Sequence, residues 1–363
     1  MKTIARIREL GQSLWIDEIT RRILDDGTLR RYIDEWSVTG LTSNPTIFEK
    51  AIAGGDYDAA IAAMTAQGKH GEDLFIELAL EDLRRAADLF RPAHDASAGV
   101  DGWVSMEVSP LLAGDTAGSI ASALRIHRAA QRINLFVKIP GTPAGVPAIE
   151  QAIYEGVPIN VTLLFSPEQY RASAQAYLRG LERRLDAGRD LNIASVASLF
   201  VSRWDKAVES RVPPKMRNRL GLGIAWQTYA AYLELLRSER WQKLAKQGAR
   251  PQRLLLASTG TKDPAAPATL YAEALIAPDT VDTLPVKTLE ALAALDAVPR
   301  PMETDRARAD AEVARFESLG IDIAAVAEQL QREGADSFVK SWNTLMESVA
   351  AKGAAGGAVR QRA

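Results

Sequence analysis

Short apolar runs alternate along the chain with longer stretches of helical periodicity. The short runs predict eight strands: Leu14–Ile16, Ser37–Gly40, Gly102–Val108, Leu135–Ile139, Ile159–Leu164, Ile193–Leu199, Arg253–Ala257 and Val281–Val286. Between them, helices are predicted over Asp73–Phe90, Gly118–Arg132, Pro167–Ala187, Arg217–Gln247 and Pro267–Leu275, among others. Ser166-Pro167-Glu168-Gln169 places Ser at a helix cap and Pro at the first helical position, and Asp263-Pro264 is a weaker signal of the same kind. Runs such as Leu135-Phe136-Val137 are apolar without alternation, as strands buried on both faces are. Strand–helix repetition selects the α/β class, and eight repeats favour closure into a (β/α)₈ barrel with additional helices. Residues 1–350 are expected to form this one catalytic barrel. The Ala/Gly-rich and then basic tail, 351–363, is expected to be flexible.

The chain has 363 residues, a length one such barrel with insertions consumes. With 44 Lys and Arg against 46 Asp and Glu, it lacks the basic footprint that phosphate-backbone binding needs, so nucleic acid is not an expected partner. There is no cysteine, which excludes disulfides, thiolate metal sites and thiol nucleophiles. His70, His94 and His127 lie far apart and in no metal-binding spacing, so no metal is expected. No run approaches a membrane span, and Met1–Arg8 has no apolar core of signal-peptide length; the chain reads as soluble and cytoplasmic. Gly221-Leu222-Gly223 opens like a dinucleotide fingerprint but lies in a helical stretch without the third small residue. Arg179–Arg184 reads as a solvated helix face.

The informative residue is Lys138, at the end of Leu135-Phe136-Val137-Lys138-Ile139-Pro140. Burial lowers the pKa of an amine, and a neutral amine is what Schiff-base chemistry requires. Taken alone, Lys138 also fits a lysine that snorkels to the rim or pairs structurally with a carboxylate. Other polar residues stand at other strand ends: Asp17, Thr42 and Asn44, Glu107, Asn160 and Thr162, Ser198 with Arg203 beyond it, and Ser258. Asn160 and Thr162 alternate at period two and so share a face, here the barrel interior. Singly, each has a bland reading; Asn44-Pro45 could be a turn or a helix cap. Converging on the C-terminal rim, where barrels carry their active sites, they would surround a nucleophilic amine with carboxylates, amides and hydroxyls. That set suits carbon–carbon bond chemistry on a polyol carbonyl compound.

From Leu10 to about Ala350 the sequence resembles the transaldolases, and the longer bacterial branch among them. Leu14-Trp15-Ile16-Asp17, Gly40–Phe48, Val104–Val108, Val137–Pro140, Asn160–Ser166 and Ala257–Lys262 carry the resemblance. It implies a class I aldolase barrel that needs neither metal nor organic cofactor. The implied reaction moves a dihydroxyacetone unit from a ketose phosphate to an aldose phosphate in the non-oxidative pentose phosphate pathway. By the same resemblance, Lys138 forms the imine, Asp17 is the base at the C4 hydroxyl, and Glu107 works through a water held by Thr162. Thr42, Asn44, Asn160 and Ser198 hold the three-carbon unit, while Arg203, Ser258 and Lys262 receive the phosphate. Related fructose 6-phosphate aldolases, which release free dihydroxyacetone, carry Gln in place of Glu107 and Tyr in place of Phe200; this chain sides with transaldolase at both. It departs from the better-known branch at Gly260, where an arginine is usual; the next cation is Lys262. A free aldolase and a catalytically silent sugar-phosphate-binding barrel are the alternatives. A monomer or homodimer is expected.

Overall fold

A computed structural model describes residues 2–296, 300–302 and 304–360. Eight strands form a closed barrel in sequence order: β1 (Gln12–Ile16), β2 (Val38–Leu41), β3 (Trp103–Glu107), β4 (Leu135–Pro140), β5 (Ile159–Leu164), β6 (Ser195–Phe200), β7 (Gln252–Ala257) and β8 (Thr280–Leu284). All neighbouring pairs are parallel, and β1 closes on β8 over the register Gln12↔Thr280 to Ile16↔Leu284. The architecture is the expected (β/α)₈ barrel. Every residue of β4 to β8 is buried, which accounts for apolar runs such as Leu135-Phe136-Val137 and Leu254-Leu255-Leu256, while polar residues interrupt β5 and β8 at Asn160, Thr162, Asp282 and Thr283.

The barrel interior is layered. Trp15, Trp103 and Phe136 fill its middle, with Trp103 stacked on Phe136 at 4.1 Å between ring centroids. Gly40 of β2 faces this plug. A Cβ there would stand 2.7 Å from the Trp15 ring and from the Trp103 carbonyl, so a side chain at this position has no room. The plug separates two polar rims, and polar side chains enter the barrel only above and below it.

Helix boundaries differ from expectation where capping decides them. Helix Pro167–Asp186 starts as predicted, with Ser166 Oγ accepting from the Gln169 amide. The stretch Arg217–Gln247 is two helices, Leu220–Arg237 and Glu239–Ala245, because Ser238 caps the second through the Trp241 amide. Asp263-Pro264 starts no helix: Asp263 accepts from the Ala265 amide in a turn, and the next helix spans Leu270–Ala274. Gly221 lies in the first turn of the helix Leu220–Arg237, whose first amides, Leu220 and Gly221, donate to the Asp205 carboxylate, so the paired glycines serve close packing and not a dinucleotide. Arg184 is not solvated; it is buried and donates to the Asp190 and Tyr154 carbonyls, tying its helix to Gly145–Glu155.

The last helix, Ile323–Arg360, is the longest in the chain. It continues through 351–360, where a flexible tail was expected, and Lys352 pairs with Asp58 on helix Asp58–Ala66. Residues 361–363 lie outside the described residues. Its apolar positions Trp342, Leu345 and Val349 join the outer core, while Val326, Ala327, Leu330 and Phe338 join the cluster above the barrel interior. The helix therefore crosses the C-terminal rim.

Candidate functional site

The C-terminal ends of the strands open into a cavity of about 350 Å³. Asp17, Thr42, Asn44, Lys138, Thr162, Ser198, Phe200, Arg203, Ser258 and Lys262 all line it. Glu107 and Asn160 stand directly beneath, in register with Lys138 on the two flanking strands: Glu107↔Lys138 and Lys138↔Asn160. All twelve candidate residues thus meet at one rim.

Lys138 is buried. Its Nζ donates to the Ser43 carbonyl at 2.9 Å and lies 3.3 Å from Glu107 Oε2. Burial pushes the Glu107 carboxyl up from its ordinary range, and the Lys138 charge opposes that shift without cancelling it. The Thr162 hydroxyl is buried without a hydrogen-bond partner, and Glu107 Oε2 has none beyond its ion pair. One of these atoms belongs to a residue that lines the cavity and the other to the ion-pair partner of Lys138, and a buried polar group left unpaired costs about 1–3 kcal/mol.

Asp17 follows β1, anchored by its amide to the Leu284 carbonyl. Its Oδ1 accepts from the Thr42 hydroxyl at 2.8 Å, and Thr42 in turn meets Thr283 at 2.8 Å. Desolvation raises the Asp17 pKa, and Lys138, Thr42, Lys262 and Arg203 act in the opposite direction. The Asn160 amide donates to Ser105 and accepts from Ser198 at 2.7 Å, which fixes its orientation beneath the cavity floor. Asn44 resolves as a helix cap: its side-chain oxygen accepts from the Ile47 amide, leaving the amide nitrogen toward the cavity it lines.

The opposite wall is cationic. Arg203 lies 5.0 Å over the Phe200 ring, and neither Arg203 nor Lys262 has an anionic partner within ion-pair distance among the described residues. Burial lowers the Arg203 pKa, and burial and the Arg203 charge lower that of Lys262. Ser258 sits between β7 and these cations at φ +54°, a left-handed conformation uncommon outside glycine. Its turn is pinned from behind by the Thr259 hydroxyl, which donates to the buried Asp282 carboxylate at 2.8 Å. Desolvation pushes Asp282 up to about 7.

An amine beside a carboxylate, a second carboxylate held by a hydroxyl, and unpaired cations across a polar cavity match what aldol-type chemistry on a phosphorylated polyol requires. Sequence comparison narrows this. Residues 14–349 match the model of the transaldolase/fructose-6-phosphate aldolase family. The chain belongs to that family. It is 45% identical over 361 residues to the transaldolase of Thermobifida fusca (strain YX), covering 96% of this chain and 97% of that one. It is 42% identical to the transaldolase of Parafrankia sp. (strain EAN1pec) over 96% and 97% of the two chains. Against transaldolase 2 of Nostoc punctiforme the identity is 41%, over 95% and 96%.

Sequence reasoning about this family member missed several cavity residues. Thr283 was detectable, since period-two alternation along β8 turns it inward with Val281. Lys50, Ser337 and Phe338 carry no local signal; helices outside the barrel bring them to the mouth. Phe338 extends the aromatic surface under Arg203, with its ring 5.9 Å from the guanidinium carbon. Among the described residues, no group of three His, Asp or Glu side chains could hold a metal ion, and no helix is long and apolar enough to cross a membrane.

Proposed function

We propose that the chain is a transaldolase that transfers a dihydroxyacetone unit through a Schiff base on Lys138. The observation that carries this reading is the buried Lys138–Glu107 pair opening onto a cavity whose far wall holds unpaired Arg203 and Lys262. Lys138 Nζ attacks the C2 carbonyl of a ketose phosphate, sedoheptulose 7-phosphate or fructose 6-phosphate, and gives a carbinolamine. Loss of water leaves the protonated imine. Glu107 moves the protons of that step through a water held by Thr162, a role supported by the two orphaned atoms in this corner. Asp17 takes the proton of the C4 hydroxyl, the C3–C4 bond breaks, and its electron pair flows into the imine as the aldose phosphate departs. The imine nitrogen neutralises the charge that develops, so the stabilisation arises in the transition state. Glyceraldehyde 3-phosphate or erythrose 4-phosphate then accepts the three-carbon unit, Asp17 returns the proton, and hydrolysis frees Lys138.

Thr42, the Asn44 amide nitrogen, Asn160 and Ser198 hold the hydroxyls of the transferred unit. Arg203, Ser258 and Lys262 bind the phosphate, for which charge-assisted donors are suited. No metal or organic cofactor takes part. Phe200 and Glu107 favour transfer over release of free dihydroxyacetone. The enzyme works in the cytoplasm as a monomer or homodimer.

Borohydride trapping tests this. Protein mixed with fructose 6-phosphate and borohydride, then digested, should carry a dihydroxyacetone-derived mass on Lys138. An adduct on another lysine, or none, overturns the assignment. Product formation should require an aldose phosphate acceptor; acceptor-independent release of dihydroxyacetone would make the enzyme a free aldolase, and binding without turnover a silent barrel.

A further inference from the structure

The end of β5 is distorted next to Thr162. Its register against β6 breaks between Val161 and Leu164, and Leu163 holds φ +59° inside the strand, a conformation strained for a γ-branched apolar residue. The distortion separates neighbouring side chains. Val161 and Leu164 pack in the outer core against the helix ring, whereas Leu163 packs with Phe165, Leu330 and Phe338 above the barrel.

The last helix holds this distortion. Gln331, buried on helix Ile323–Arg360, lies outside the cavity lining, and its side-chain nitrogen donates to two backbone carbonyls, Leu163 at 2.9 Å and Gly141 at 3.1 Å. Gly141 follows β4 and donates its own amide to the Thr162 carbonyl at 2.7 Å. One side-chain amide therefore bridges the ends of β4 and β5 on either side of the peptide that carries Thr162. A primary amide is the neutral group whose single nitrogen offers both donors. One turn on, Gly334 faces the same spot: a Cβ there would come within 2.9 Å of the Leu163 side chain.

Resting on the transaldolase reading above, we propose that Gln331 is a positioning residue. By locking the left-handed turn at Leu163, it aims the Thr162 hydroxyl at the corner shared with Glu107 and Lys138, and so times the loss of water from the carbinolamine. Backbone strain that the surroundings over-determine is a recurrent way of aiming a group at a reacting centre.

The test compares wild type, Gln331→Met, Thr162→Ala and the double variant. Gln331→Met keeps the length and removes both donors. It is expected to lower kcat about tenfold, as a small misplacement of a catalytic group does, with KM for fructose 6-phosphate within about twofold. The borohydride adduct on Lys138 should form correspondingly more slowly. The double variant should be no slower than Thr162→Ala alone, because Gln331 acts through Thr162. Unchanged kcat in folded Gln331→Met, or losses that multiply in the double variant, overturn the proposal. Should Gln331→Met not fold, Gln331→Ala, which leaves room for a water in place of the amide, is held to the same criteria. Failure of wild type to form the Lys138 adduct defeats the underlying reading instead; a normal wild-type adduct with an equally fast variant defeats only the role of Gln331.

Discussion

The two mouths of the barrel are both lined by charged groups and both hollow. The N-terminal mouth is the roomier, at about 460 Å³ against about 350 Å³. At that end Asp101 accepts from Trp15 Nε1 at 2.7 Å and from the hydroxyls of Thr39 and Ser13. Arg253 donates to the Val100 and Thr280 carbonyls and to Ser13. The cluster is self-contained: Ser13 links the carboxylate to the guanidinium, and each charge finds complementary dipoles in the fold. At the C-terminal mouth Thr162 is orphaned, Glu107 is half-satisfied and Arg203 and Lys262 face open space. Cavity size does not distinguish scaffold from site here. The pairing of the charged groups does: Asp101 and Arg253 are hydrogen-bonded within the fold, whereas Arg203 and Lys262 have no anionic partner among the described residues, and charged groups left unpaired in a cleft point to function.

The comparison can be broken at either end. The largest effect is expected from Lys138→Ala, which should lower turnover roughly a thousandfold or more, as loss of a covalent nucleophile does, while the protein stays soluble and folded. Loss of the fold would make Lys138 a structural residue like Arg253. Arg203→Ala should raise KM for phosphorylated substrates roughly tenfold to a hundredfold, the loss of a hydrogen bond to a charged group. A lower kcat at constant KM would instead place Arg203 in the chemistry.

At the other mouth, Asp101→Ala should destabilise the fold by about 1–3 kcal/mol, since Trp15, Thr39 and Ser13 lose their acceptor. The kcat of the folded fraction should not change. Denaturant unfolding and active-site-normalised rates separate the two effects, and a kinetic defect would show that this mouth is more than scaffold.

The smallest effect concerns the wall behind the Ser258 turn. Asp282 titrates near 7 in the fold against an ordinary 3.8. Between these values the folded chain holds a proton that the unfolded chain has released, so this group's contribution to stability falls as pH rises from about 4 to about 7. Asp282→Asn should therefore gain in melting temperature relative to wild type across that interval. A constant difference from pH 4 to 8 would mean that Asp282 is ionised throughout.

Much of this was readable along the chain. The eight strands were placed to within a few residues because short β-rich runs, several of them uninterruptedly apolar as strands buried on both faces are, alternate with helical stretches. Lys138 stood out because it interrupts such a run. The boundaries that shifted, at Ser238 and Asp263, depend on which backbone amide a short side chain reaches, a choice between nearly equal local options. Arg184 looked solvated because a charged run on a helix carries no mark of the neighbouring carbonyls that take it in.

The sequence by itself determined the strand–helix rhythm, the class of barrel and the residue types that end each strand, because periodicity and burial act between near neighbours. Closure of β1 on β8 decided that those ends would share one rim, and the last helix decided how that rim is roofed and braced. The Gln331 amide meets the Leu163 carbonyl across 168 positions. Likewise, Leu163 is left-handed against its local preference for extended backbone, at a place where that helix packs on it and donates a hydrogen bond to it.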